Sequence, residues 1–350
     1  MKILFGMGNR YGGSTMLSRF LRHLNPKHEI KIAAWNRSSY TLSTVDWMLD
    51  AISFNLIHQR TQSRVDVFGY KGKVRFNHHM PQFVKDLVDY APDLVIADSE
   101  PFVTYFAHSF DIPLWYCSPN LLLNAWRPNA PFKTMYRSFI FQNQFKINLP
   151  PAEKYLVYSP FGDIAFRPPL KEPYEWVRPY YFELDKKEEI YNNMFISHDP
   201  DRNETLAKLF NSVDNSVFAS YNPDKLPNIK TCELDTDEYV DYLSKSKNII
   251  CMGDTNHLSD AFYAGKVINV CPSIDREIIT EAGVPNILDM ESITNAIMVR
   301  HMEIGVDYGK IENMGNFATD ELNKEIEVPN RNYLSINRNI KQLHEMIDDI

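Results

Sequence analysis

Three places in this chain set polar or acidic side chains directly after an apolar run. Residues 93–98 read DLVIAD and lead into Ser99-Glu100-Pro101. A carboxylate at the end of a strand acts as a general base when a hydroxyl comes within hydrogen-bond reach. Asp98 and Glu100 are therefore the candidate catalytic residues, and the pattern leaves open which of them acts. Ser99 or Glu100 would also cap a helix begun by Pro101. Residues 248–252, NIICM, lead into Gly253-Asp254-Thr255-Asn256-His257, with Asp260 one turn further on. Thr255 or Asn256 can cap a helix starting here, and its free amides suit a diphosphate without any metal. Asp260 would accept from ribose hydroxyls, and capping alone is the competing reading of the whole turn. Residues 266–271, KVINVC, precede Asp275-Arg276-Glu277, where acidic groups could bond the hydroxyls of a sugar. The competing reading there is a solvated helix N-terminus that favours acids through its dipole.

A fourth segment is rich in glycine rather than charge. Gly6-Met7-Gly8-Asn9-Arg10-Tyr11-Gly12-Gly13-Ser14 joins an apolar run to an amphipathic one. Glycines here let backbone approach a ligand closely. The spacing is not GxGxxG, and no Gly-Lys-Ser/Thr follows, which excludes a P-loop.

These segments need strands that end beside them. Apolar runs predict strands over 2–5, 29–35, 64–70, 93–98 and 113–117, with helices over 15–24 and 80–90. A second block predicts strands over 194–197, 216–221, 248–253 and 266–271, with helices near 202–212, 236–245 and 256–264. Such alternation with continuous apolar strands predicts an α/β protein of two Rossmann-like, doubly wound domains. Residues 119–182 read as irregular, aromatic and proline-rich. Ile336, Ile340, Leu343, Ile347 and Ile350 recur at helical spacing and predict a helix over 331–350.

Composition narrows the class. At 350 residues the chain exceeds what one core usually holds. Apolar residues make 44% and charged residues 23%, which excludes a disordered chain, a collagen and a small disulfide scaffold. No apolar run approaches the roughly 18 residues of a membrane span. The opening MKILFGMGN lacks the features of a signal peptide, so a cytoplasmic location is expected. Cys117, Cys232, Cys251 and Cys271 form no CxxC pair, and the expectation is reduced, buried thiols with no metal site. The net charge of −8 argues against general nucleic-acid binding but leaves room for a local basic groove.

The succession over 248–283 carries a family resemblance. Gly253, Asp260-Ala261, Gly265-Lys266, Pro272 and the 275–282 stretch follow the order of parts in the nucleotide-sugar half of GT-B glycosyltransferases. The likeness is to the MurG-like and UDP-glycosyltransferase group. Gly12-Gly13 resembles that group's glycine pair, and 92–101 resembles its "PD-strand-D-x-E-P" segment. Val267 replaces the family's proline after Gly-Lys, and the family's Glu-Gln pair is not intact. Ser14 stands where the group often has a histidine base, which moves the role to Asp98 or Glu100.

The resemblance implies a GT-B fold of two Rossmann-like domains facing across a cleft. Residues 1–182 with 331–350 would bind the acceptor, and 183–330 the donor. It implies a UDP-sugar donor, no obligatory metal and direct displacement with inversion. Gly12, Gly13, Gly253, Asp254, Thr255, Asn256, His257, Asp260, Asp275, Arg276 and Glu277 would bind the donor. A UDP-sugar epimerase of the same fold, or a non-catalytic relative binding a nucleotide sugar or DNA, is the alternative.

The acceptor is the least specified part. Residues 126–180 hold eight Lys/Arg against four Asp/Glu, interleaved with aromatics. Arg127, Lys133, Arg137 and Lys146 are the candidates for acceptor phosphates. Frequent asparagine fits a low-GC genome such as many phages have. A hydroxymethylated base in DNA is therefore one expected acceptor, beside a glycan, a lipid or a small molecule. Monomer and homodimer are equally compatible with the sequence.

Overall fold

A computed structural model describes residues 1–7, 11–35, 51–54, 80–98, 101–126, 150–164, 167–185, 187–197, 215–221, 223, 229–272, 287–308 and 340–350. Two parallel sheets organise them. The first contains β1 (Lys2–Met7), β2 (Glu29–Trp35), β3 (Ala51–Phe54), β4 (Leu94–Asp98), β5 (Leu114–Ser118), β6 (Lys154–Tyr158) and β7 (Tyr174–Val177), in the order β3-β2-β1-β4-β5-β6-β7. The second contains β8 (Tyr191–Ser197), β9 (Ser216–Ser220), β10 (Lys230–Glu233), β11 (Ser246–Cys251), β12 (Val267–Val270) and β13 (Gly305–Asp307), in the order β10-β9-β8-β11-β12-β13.

Both sheets reverse direction beside their first strand, so each has a switch point at its carboxyl edge. In the first it lies between β1 and β4, where Met7 pairs with Asp98. In the second it lies between β8 and β11, where Ile196 pairs with Cys251. Ligands of open α/β sheets bind in the crevice at such points.

The described helices are α1 (Tyr11–His23), α2 (Met80–Tyr90), α3 (Pro101–Ser109), α4 (Leu122–Ala125), α5 (Asp237–Lys245), α6 (Thr255–Tyr263), α7 (Ile287–His301) and α8 (Leu343–Asp348). Along β1 the side chains alternate. Ile3, Phe5 and Met7 join Met16, Leu17 and Phe20 of α1 on one face, while Leu4 faces the opposite core. Leu343 and Ile347 of α8 pack into that same α1 cluster. Gln342 pairs with Arg178 just past β7. The second cluster is continuous between the sheets, from Leu4 and Val95 through Leu121 to Met194, Ile249 and Leu258.

Several expectations need correction. α1 begins at Tyr11 rather than near residue 15, so Gly12 and Gly13 lie in its first turn and not in a loop. The 119–182 stretch is not wholly irregular, because it contributes β6 and β7 to the first sheet. β3, β10, β13 and α7 were not expected at all. The strand expected over 64–70 and the helix over 202–212 lie outside the described residues, and of the helix expected over 331–350 only residues 340–350 are described, with the helix beginning at Leu343 after Gln342 bridges to Arg178. All four cysteines are free and buried. No described helix is long and apolar enough to cross a membrane.

Candidate active site

The turn after β11 is built around one glycine. Gly253 has φ +91°, a conformation glycine adopts readily. A Cβ there would stand 2.9 Å from the Ser292 carbonyl oxygen of α7 and 2.9 Å from Val270. The turn therefore needs glycine for its conformation and for the close approach of α7.

The cap of α6 is Asp254, not Thr255 or Asn256 as expected. Asp254 has extended backbone, and its Oδ1 accepts from the His257 amide at 3.1 Å. The Thr255 amide donates instead to Glu291 Oε1 at 2.8 Å. Two carboxylates thus already face the positive end of this helix. Asn295 Nδ2 donates to the Gly253 carbonyl at 2.8 Å and to Thr255 Oγ1 at 3.1 Å, tying the turn to α7. Asn256 Oδ1 accepts from the Tyr158 hydroxyl of the first domain at 3.2 Å.

His257 is fully buried and pairs through Nδ1 with Asp254 Oδ1 at 2.8 Å. Burial alone would lower its pKa, but the Asp254 charge and hydrogen bond outweigh it and raise the pKa. Nε2 has no hydrogen-bond partner among the described residues. Two rings stand edge-on to the imidazole, Tyr239 at 5.8 Å and Tyr221 at 6.4 Å. Tyr221 follows β9, and its hydroxyl is hydrogen-bonded to Thr15 of α1 in the other domain.

Asp260 does different work from that expected. Its carboxylate is fully buried and accepts four hydrogen bonds, from Arg19 Nη1 and Nη2, the Phe182 amide and the Tyr239 hydroxyl. The ribose reading gives way to an ion pair between domains. Arg19 also donates to Asp235 Oδ1 at 2.6 Å and to the Tyr180 carbonyl at 3.0 Å, and lies over the Phe182 ring.

Asp98 ends β4 and is fully buried. It lies close enough to Cys117 of β5 that, after burial itself, its charge helps push that thiol pKa up. Glu100, Asp275, Arg276, Glu277, Arg127, Lys133, Arg137 and Lys146 lie outside the described residues.

The sequence profile of glycosyl transferase family 1 matches residues 1–312. The chain belongs to glycosyl transferase family 1. It is a glycosyltransferase of GT-B fold. The enzyme resembles Spinosyn Rhamnosyltransferase SpnG at TM-score 0.63 and 11% identity, covering 100% of this chain and 99% of that one. It resembles the calicheamicin glycosyltransferase CalG4 at TM-score 0.57 and 14% identity, covering 99% and 96%. A third similar structure is SsfS6 of Streptomyces sp. SF2575, complexed with thymidine diphosphate, at TM-score 0.58 and 13% identity over 100% of both chains. No curated protein matches the glycosyltransferase sequence.

Sequence reasoning missed Arg19, Asp235, Tyr239 and Glu291 of this glycosyltransferase. Nothing in their local spacing marks them, because each partner is distant in the chain or sits inside an unremarkable helix. Tyr221 was missed as well, although it directly follows β9, and ligands of such sheets lie past strand ends.

Proposed function

We propose that the enzyme transfers a sugar from a nucleoside diphosphate sugar to an acceptor hydroxyl, with inversion. The observation that carries this reading is His257. Its Nδ1 is held by Asp254, its raised pKa favours the imidazolium, and its Nε2 is uncommitted at the switch point of the second sheet.

Asp98, at the switch point of the first sheet, takes the acceptor proton. Glu100 stays the other candidate for that role. The acceptor oxygen forms a bond to the anomeric carbon as the bond from that carbon to the diphosphate oxygen breaks. The electron pair leaves with the diphosphate. His257 Nε2–H donates to the leaving group. Donor entry requires Tyr221 to release Thr15, because its ring packs on His257. Opening and closing of the domains then admits donor and excludes water.

UDP is the nucleotide implied by the family resemblance. A related structure complexed with thymidine diphosphate makes a TDP-sugar the second donor to test. The test is phosphorus NMR of the enzyme with UDP- and TDP-sugars, with and without hydroxyl acceptors. Acceptor-dependent release of nucleoside diphosphate supports transfer. Conversion of the donor sugar without diphosphate release indicates an epimerase instead.

A further inference from the structure

Past β5, a single 3-10 turn (Pro119–Leu121) runs directly into α4. Ser118 caps the turn by accepting from the Asn120 amide. Asn120 is 1% exposed, and among the described residues neither its Nδ2 nor its Oδ1 has a hydrogen-bond partner. Four residues on, Asn124 is 7% exposed and its Oδ1 also lacks a partner among the described residues. Asn120 lies in the 3-10 turn and Asn124 in α4, so this one short segment carries two buried carboxamides with unmet hydrogen-bonding capacity. Each unsatisfied buried group costs about 1–3 kcal/mol, and such groups in native structures call for an explanation.

Their place supplies one. β5 lies beside β4, with Ala97 opposite Tyr116, so Asp98 and the turn share one carboxyl edge. α7 of the other domain packs over the same turn, and His301 meets the Trp126 ring at 5.5 Å. The carboxamides lie between the domains on the edge that holds the proposed base.

We infer that Asn120, supported by Asn124, binds the hydroxyls of a neutral, sugar-like acceptor. This rests on the transfer reading above. A carboxamide offers both N–H donors and a carbonyl acceptor. Vicinal hydroxyls each donate and accept, and so match it. A phosphate would meet the two carbonyl oxygens unfavourably.

The test uses the full chain and two separate titrations. Saturation-transfer NMR measures binding of methyl β-glucopyranoside, methyl α-mannopyranoside and myo-inositol, with glucose 6-phosphate as the anionic control. Thermal shift measures UDP and TDP. Asn120→Leu keeps the volume and removes the polar group. The expected result is an unchanged or raised unfolding midpoint, nucleotide shifts as in wild type, and about tenfold weaker binding of at least one neutral polyol. Asn124→Leu should give a smaller loss of the same polyol. A lowered midpoint with polyol binding intact makes Asn120 a structural residue and overturns the inference. A wild-type protein that binds only glucose 6-phosphate, or none of the probes, also overturns it. Failure of both nucleotides in wild type counts against the transfer reading, while the polyol arm still decides the role of Asn120.

Discussion

Arg19 of α1 and Asp260 of α6 join the two domains by a bidentate ion pair, with both nitrogen–oxygen distances at 2.8 Å. Arg19 is 4% exposed and Asp260 0%. Tyr180 and Phe182, in the segment between β7 and β8, bond to the same pair. One guanidinium thus fixes the first helix of one domain, the crossing segment and α6 of the other.

Removing one partner leaves the other charge buried. Arg19→Leu should lower stability by about 3–5 kcal/mol. The double variant Arg19→Leu/Asp260→Leu should cost less than the two single changes summed. Urea unfolding of the four proteins checks both statements. Additive losses would mean that the pair is not coupled.

The same cluster predicts a pH dependence with two arms. Burial pulls the Asp235 carboxyl up, but Arg19 and then His257 outweigh it and hold its pKa below the ordinary value. Its contribution is present above the unfolded carboxylate pKa and is lost as pH falls through the lower folded value. His257 has a raised pKa, so its contribution is present below the unfolded histidine pKa and is lost as pH rises through the folded value. Unfolding midpoints between pH 3 and 9 should fall at both ends (about pH 4 and above 6.5 mark the unfolded values). His257→Gln should flatten the alkaline arm, and Asp235→Asn the acid arm.

Much of the sheet framework was readable because its strands are buried on both faces. LVIAD, LWYCS and SVFAS are buried along their whole length and appear as continuous apolar runs. KTCE of β10 exposes Lys230 and Glu233 and gives no such signal. β6 and β7 were hidden among prolines at 150, 151, 160, 168, 169 and 173. In the candidate site, the Gly253 turn and Asp98 were legible because they end strands. The Arg19–Asp260 pair was not, because its members are 241 residues apart and only the folded chain brings them together. Asp260 looked like a ligand for ribose because helix position alone does not reveal an arginine arriving from another domain.

Gly253→Ala forces a side chain into a left-handed backbone conformation and against the Ser292 carbonyl. The expected cost is about 1–3 kcal/mol from strain, with further loss if α7 moves. Nucleotide binding should weaken together with stability. A variant with wild-type midpoint and affinity would show that the turn tolerates displacement.

Asp98→Asn keeps the shape and removes the base. Transfer to a hydroxyl acceptor should slow by about 10²–10⁴-fold, with nucleotide affinity unchanged. Retained transfer in Asp98→Asn would pass the role to Glu100, which Glu100→Gln then tests.

The most direct measurement is the unfolding midpoint of wild type and His257→Gln in the presence of UDP, TDP, GDP and NAD. A ligand that binds the native state stabilises it by about 2.7 kcal/mol at one hundred times its Kd. The expected result is a raised midpoint with UDP or TDP, and a markedly smaller rise in His257→Gln. No rise with any diphosphate, or a rise with NAD alone, would contradict a nucleoside diphosphate donor that contacts His257.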